Sequence, residues 1–303
     1  MTLSSSLLKQ LAVQAGLDLC GVVPATEVEG FGQCLQRWLE AGANGAMAYM
    51  ERWSDKRADP RLLVEGARSV VSVAVAYKPT KTMGGVHKIA QYAYVDDYHN
   101  VLKTRLHTLV ALIKERHPEF EAKVCVDTAP ITDKLWAARA GLGWIGRNTL
   151  LVTPQYGSYV NLGELVTTAL FDSYDTPVEN RCGSCRRCVE ACPGHALDDS
   201  ATLGLIAPRC TSYLTVEPSA SESTASRTET AFVFGCDVCQ QVCPYCQSSP
   251  AVRTVPQERM AELEALPEAD EETYRRITQN SPMSRLSYEH WRKNCGKTPR
   301  ATD

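Results

Sequence analysis

CGSCRRCVEACP at residues 182–193 and CDVCQQVCPYC at residues 236–246 hold eight of the thirteen cysteines of this chain. The first stretch sets Cys182, Cys185, Cys188 and Cys192 at C-x2-C-x2-C-x3-C-P spacing. That is the bacterial ferredoxin run, in which the fourth cysteine serves the other cluster. The second stretch supplies Cys236, Cys239 and Cys243-Pro244, the last three cysteines of such a run, and Cys210 is the substitute for the missing first. One cluster then takes Cys182, Cys185, Cys188 and the crossing Cys243. The other takes Cys236, Cys239, Cys210 and the crossing Cys192. Short gaps let one turn of chain offer several sulfurs to one cuboidal cluster, and a proline after each crossing cysteine stops that turn from continuing. Zinc knuckles draw their ligands from C-x2-4-C pairs and close on four, which is not this pattern. Cys246 is the rival for a ligand place. The expectation is a ferredoxin-like domain over 177–250 with two [4Fe–4S] clusters.

Outward from that domain, 303 residues leave room for a second core, and a net charge of −3 excludes a generally basic nucleic-acid binder. So many cysteines in a chain this long fit a reducing compartment better than a disulfide scaffold. The N-terminus lacks a basic region before an apolar core and reads as an amphipathic helix instead. The longest apolar run, Val70 to Tyr77, is far too short to span a membrane.

Upstream, helices are expected over 3–16, over 31–41 and from Asp96 to just before Pro118, the last carrying Leu102, Leu106, Leu109 and Ile113 at 3.6-residue spacing. Strands are expected at 19–23, 69–77, 123–127, 148–153 and 164–171, and a helix over 128–143 ends at glycine. The continuous β-branched run at 69–77 reads as a strand buried on both faces. Alternating strands and helices argue an α/β domain over 1–176, in a chain of α+β / α/β class overall. Short helices are expected over 251–303, with a loose tail from Cys295. Between the cysteine stretches, EPSASESTASRTET at 217–230 reads as a polar loop. Cys20, Cys34 and Cys125 are expected as small core residues.

GLGWIG at 141–146 satisfies G-x-G-x-x-G. A dinucleotide site needs a strand before that motif and a helix after it; here the order is reversed, which rejects a nicotinamide site. The glycines are open to two readings, helix termination or close approach of backbone to a large flat cofactor. Asp127, at the end of a strand, reads alone as a turn or helix-cap carboxylate. The functional alternative is a general acid where sites open at strand ends. His99, at the start of the long helix, reads as structural. Asp133 is a weaker acid candidate.

RADPRLLVEGARSVVSVAVAY, DDYHNVL, VDTAPITDKLWAARAGLGWIGRNTLL, YGSYVNLGEL, CGSCRRCVEACPGHAL, RCTSYLTVE and FGCDVCQQVCP stand in order over most of residues 57–244. Together they resemble epoxyqueuosine reductases, iron–sulfur and cobalamin enzymes of tRNA modification. The chain is similar to the short members, without C-terminal helical repeats. It departs from the family at Asp96 and Arg147, where basic residues and Lys are frequent, and after SYLTVE.

The resemblance implies a base-off cobalamin in the N-terminal domain, close to the clusters. It implies contacts from Arg57, Ala90, Asp127, Leu151, Pro154 and the turn of Gly141 and Gly143. Asp127, the aspartate of the VDT motif, is implied as proton donor, with a carboxyl raised by an apolar wall. The implied reaction reduces epoxyqueuosine to queuosine at the tRNA wobble position, the last step of queuosine biosynthesis. The implied partners are that tRNA and an external low-potential electron donor, with no membrane, for a cytoplasmic monomer. Two other readings are weighed. A reductive dehalogenase would use a tyrosine acid, and the VDT motif counts against it. A plain ferredoxin would leave the first 176 residues unexplained.

Overall fold

A computed structural model describes residues 1–198, 203–217 and 230–296. The chain opens with a short strand, β1 (Thr2–Leu3), and helix α1 (Ser5–Gln14). Ser4 caps α1 by accepting the Leu7 N–H, and Gly16, at φ +79°, ends it as a left-handed stop. Then follow β2 (Leu19–Pro24), α2 (Phe31–Glu40), α3 (Ser54–Ala58), β3 (Ser69–Ala76) and β4 (Lys88–Ile89). After them come α4 (Tyr98–Lys114), β5 (Ala122–Cys125), α5 (Asp133–Arg139), β6 (Trp144–Ile145), β7 (Leu151–Val152), β8 (Val160–Thr167) and β9 (Leu170–Phe171).

The main sheet has the order β2-β3-β8-β5, and every neighbour in it is antiparallel. The mixed class expected for the chain holds on its α+β side, and the antiparallel sheet corrects the narrower expectation of an α/β first domain. Alternation along the chain does not set strand direction, because connections as long as the one from β2 through α2 and α3 can return either way. The double burial expected of β3 holds, since all eight of its residues are buried. One face carries Val71, Val73, Val75 and Leu165 against Leu8 and Leu11 of α1 and Leu102, Leu106 and Leu109 of α4. The other carries Val70, Cys125 and Val166 against Trp136, Ala137 and Ala140, the last just beyond α5. A row of paired positions, Gly21, Ser72, Glu164 and Cys125, crosses all four strands. Gly21 must lack a side chain there, because a Cβ would meet the Ala140 carbonyl at 2.1 Å.

Several expected boundaries shift. The strand expected over 164–171 divides into β8 and β9, and β9 pairs in parallel with β1. The strand expected over 123–127 stops at Cys125. Cys34 is exposed, because α2 buries only Leu35; Cys125 is buried as expected.

The second half is built from short pieces: α6 (Arg187–Glu190), α7 (Thr211–Val216), β10 (Phe232–Phe234), α8 (Val238–Gln241) and α9 (Pro244–Ser248). Three further helices close the described chain: α10 (Gln257–Ala265), α11 (Glu271–Thr278) and α12 (Tyr288–Gly296). The polar loop expected between the cysteine stretches, over 218–229, and the tail from 297 lie outside the described residues. Packing crosses the sequence blocks at 176 and 250. β10 pairs in parallel with β4. One core joins Ile89 and Tyr94 to Phe234, Leu263, Tyr274 and Trp291. α2 and the segment after it also dock on the cysteine half: Trp38 donates to the Leu205 carbonyl at 2.6 Å, and the Ala46 N–H donates to the Tyr213 hydroxyl at 2.6 Å.

Candidate active site and cluster ligands

Asp127 sits two residues beyond the end of β5 with φ +51°. The Thr128 N–H donates back to the Val126 carbonyl at 2.5 Å, closing a three-residue turn around it. Such turns with positive φ at the centre are rare and strained, and strain of this kind gathers at functional positions. Aspartate tolerates it better than most residues.

The Asp127 carboxylate meets the start of α4. Its Oδ2 lies 3.0 Å from His99 Nε2, and His99 Nδ1 lies 2.6 Å from Asp97 Oδ1. The same Asp97 oxygen accepts the His99 N–H at 3.0 Å and so caps α4. His99 is buried at 3% exposure, whereas the Asp127 side chain is half exposed. With Nδ1–H given to Asp97, Nε2 either donates to ionised Asp127 or accepts from protonated Asp127. One proton therefore lies on the line between them. Arg285, from the segment between α11 and α12, places Nη1 4.0 Å from the same Oδ2. The hydrogen bond to His99, helped by the charges of His99 and Arg285, holds the Asp127 carboxyl below its usual range against the partial loss of its hydration. The raised carboxyl expected from sequence is thereby corrected: an imidazole and a guanidinium stand where an apolar wall was anticipated.

Other expected site residues collect around this turn to different degrees. Arg57, in α3, accepts at its carbonyl from Thr132 Oγ1 at 3.4 Å, which ties α3 to the Asp127 loop. Ala90 is buried, and its N–H donates to the Phe234 carbonyl at 2.8 Å. A Cβ on Gly235 would lie 2.5 Å from the Ala90 side chain, so Ala90 backs directly onto the chain entering Cys236. Leu151 is buried in the core under α5, while Pro154 is exposed. At Gly141 a Cβ would meet the Thr176 carbonyl at 2.7 Å, and at Gly143 the Val152 carbonyl at 2.2 Å. The protein's own backbone fills the space of both missing side chains; a cofactor contact at this turn would come from main-chain atoms. α5 precedes the turn and β6 follows it, the reversed order that rejects a nicotinamide site. Among the cations upstream, Arg61 is held by Asp59 and Arg139 lies over the Trp136 ring.

Seven of the eight cysteines expected to hold clusters fall into two neighbourhoods. Cys188 feels the charges of Cys182 and Cys243. Cys210 feels Cys192, and Cys236 and Cys239 each feel both Cys210 and Cys192. Burial pushes Cys236 up to about 12 and Cys239 well above an ordinary thiol. Backbone N–H groups approach the sulfurs, with the Ala196 N–H 3.3 Å from Cys192 Sγ and those of Ser212 and Tyr213 toward Cys210. Amide hydrogen bonds to sulfur are a means by which proteins set cluster potentials. Cys246 is buried, accepts the Ser158 N–H at 3.2 Å, and holds Cys243 below an ordinary thiol through a hydrogen bond that pushes Cys246 itself upward. Among the described residues no three His, Cys, Asp or Glu side chains converge as ligands of a single ion.

Two features escaped the sequence reading. Arg285 lies in a segment with no motif of its own. Glu164, the one carboxylate of a strand otherwise mostly apolar, is fully buried against Asp133; its solitary charge in ELVTTALF was the available signal.

Two family models match. The one described as "Epoxyqueuosine reductase QueG, DUF1730" covers residues 57–128, and the "4Fe-4S double cluster binding domain" covers residues 181–246. An epoxyqueuosine reductase of Cyclobacterium marinum is 38% identical over 299 residues, covering 96% of this chain and 95% of that protein. The structure of epoxyqueuosine reductase from Streptococcus thermophilus superposes with a TM-score of 0.84 at 28% identity, over 96% of this chain and 79% of that one. A crystal structure of epoxyqueuosine reductase with an epoxyqueuosine-modified tRNA-Tyr stem loop gives 0.82 at 27% identity, with the same coverage. No helix among the described residues is long and apolar enough to cross a membrane.

Proposed function

This chain belongs to the epoxyqueuosine reductase family, and from that premise we propose that it reduces epoxyqueuosine in tRNA to queuosine. The reaction takes two electrons and two protons, breaks both C–O bonds of the epoxide, leaves an alkene and releases water. The enzyme is an oxidoreductase of tRNA modification, and the observation that carries its mechanism is Asp127, strained and half exposed, bonded to buried His99.

The residues present fit two kinds of bound group. Seven thiols in two neighbourhoods, with Cys185 following Cys182 in the chain and amides toward the sulfurs, suit two [4Fe–4S] clusters. We assign Cys182, Cys185, Cys188 and Cys243 to one, and Cys192, Cys210, Cys236 and Cys239 to the other. Trp144 Nε1 and Asn148 Nδ2, buried without partners between Gly143 and Leu151, suit the amide-rich rim of a corrin. Cobalamin would be held there with Arg57, Ala90, Leu151 and Pro154, and would supply the strongly reducing cobalt chemistry at the epoxide carbon.

The chain's own residues handle protons and position. Asp127 gives a proton to the departing epoxide oxygen. His99 shares its proton with Asp127, and Asp97 keeps the ring in the matching tautomer. The second proton reloads this pair before water leaves. Arg285 steadies the carboxylate once it is ionised. The wobble base must leave the anticodon stack to reach the site, as base-modifying enzymes require. The first 176 residues carry the chemistry, residues 177–250 bring in electrons from an external donor, and residues 251–296 brace both.

The test is turnover of epoxyqueuosine-containing tRNA by anaerobically reconstituted protein. Asp127→Ala is expected to retain both cofactors and lose turnover; full activity in that variant ends the assignment.

A further inference from the structure

The carboxyl groups of Asp133 and Glu164 meet in the core below the Asp127 loop. Glu164 is fully buried, and Ser72 Oγ donates to its Oε1 at 3.2 Å. Its other oxygen, Oε2, and Asp133 Oδ1 are both buried and lack any donor. Two buried acceptors side by side are costly, because each forfeits its hydration. One proton between them satisfies both, since one group then donates where the other accepts.

The other groups facing the pair leave this proton in place. Ser72 is a hydroxyl on β3. Cys125 on β5 is a thiol that burial pushes up to about 12. Asp127 adds negative charge, which makes losing the proton harder. Lys134, next to Asp133, gives its amine to the Thr149 carbonyl at 2.8 Å. Burial raises both carboxyls, Glu164 well above the usual range.

Glu164 also stands at both ends of the loop that carries Asp127. The chain leaves the sheet at Cys125, which is paired with Glu164 in register. It returns at Asp133, the first residue of α5, whose carboxyl faces that of Glu164. We propose that Asp133 and Glu164 share one proton, and that this proton latches the loop of residues 126–132 so that Asp127 is held against His99. Both are positioning residues. Their bearing on turnover rests on the reading of Asp127 as the acid; the latch itself does not.

The test measures hydrogen exchange of residues 126–132 in the cofactor-loaded protein, corrected for intrinsic rate, from mildly acid to alkaline pH. In the native chain protection falls about tenfold per pH unit once the pair loses its proton. Glu164→Gln retains protection at alkaline pH, since its amide donates to Asp133 without a proton to lose. Glu164→Leu exposes the loop at every pH. Should that variant fail to fold, Asp133→Asn replaces it; its amide donates to Glu164, and it is expected to behave as Glu164→Gln does. Protection flat with pH in the native chain, or alike in the Gln and Leu variants, or pH-dependent in Asp133→Asn as in the native chain, overturns the latch. The alkaline limb of kcat should move with protection. A limb that stays put while protection follows this pattern leaves the latch standing and removes Asp127 from the chemistry.

Discussion

His99 has a carboxylate at each ring nitrogen, and its removal has a definite sign. Its hydrogen bond is the largest influence holding Asp127 low. In His99→Ala the Asp127 carboxyl therefore rises, and the pH dependence of kcat shifts toward higher pH while the rate falls. A profile that moves to lower pH, or stays, rules out the shared proton. Asp127→Asn isolates the proton from the geometry, because asparagine also tolerates positive φ. It should bind both cofactors and lose about two to four powers of ten in kcat. At this scale the sequence was half legible. From its place after a strand Asp127 reads alone as a turn or cap carboxylate; the family resemblance singled it out as donor, and its direction of shift was not legible at all. That direction depends on His99, brought in by α4, and on Arg285, brought in from far along the chain.

At the scale of elements, the β6–β7 pair depends on Gly143, where a Cβ would strike the Val152 carbonyl. Gly143→Ala should cost about 1–3 kcal/mol, read as a lower denaturation midpoint. The two cysteine neighbourhoods make a second prediction. Cys192→Ala and Cys210→Ala should remove iron from the same cluster and leave the other intact by its electron paramagnetic resonance signal; losses from different clusters break the pairing. The helices and the cysteine runs were legible because periodicity and spacing are local. The antiparallel order β2-β3-β8-β5 was not, because direction is decided by how long connections return. Glu164 shows the remaining gap. One charge at the edge of an apolar strand signals something, yet only the sheet register sets it beside Ser72, Cys125 and Asp133.

Across the whole molecule, residues 251–296 belong to the same core as the segment before α4. Trp291 is fully buried beside Tyr274, and Trp291→Ala should cost about 3–5 kcal/mol in denaturant unfolding. A chain ended at residue 250 would uncover Ile89 and Phe234 and remove Arg285 from Asp127. It should be rapidly proteolysed and inactive; a well-folded, active truncation would contradict the shared core. The pairing of β4 with β10 bears on biosynthesis as well. Lys88 and Ile89 leave the ribosome long before Phe232 and Phe234, and Ala90 cannot find its partner until the chain around Cys236 has been made. Closure of the β4 segment onto β10 is then a late event, although the main sheet is complete once β8 has been made. A chain stalled before residue 230 would hold its main sheet and leave Ile89 uncovered.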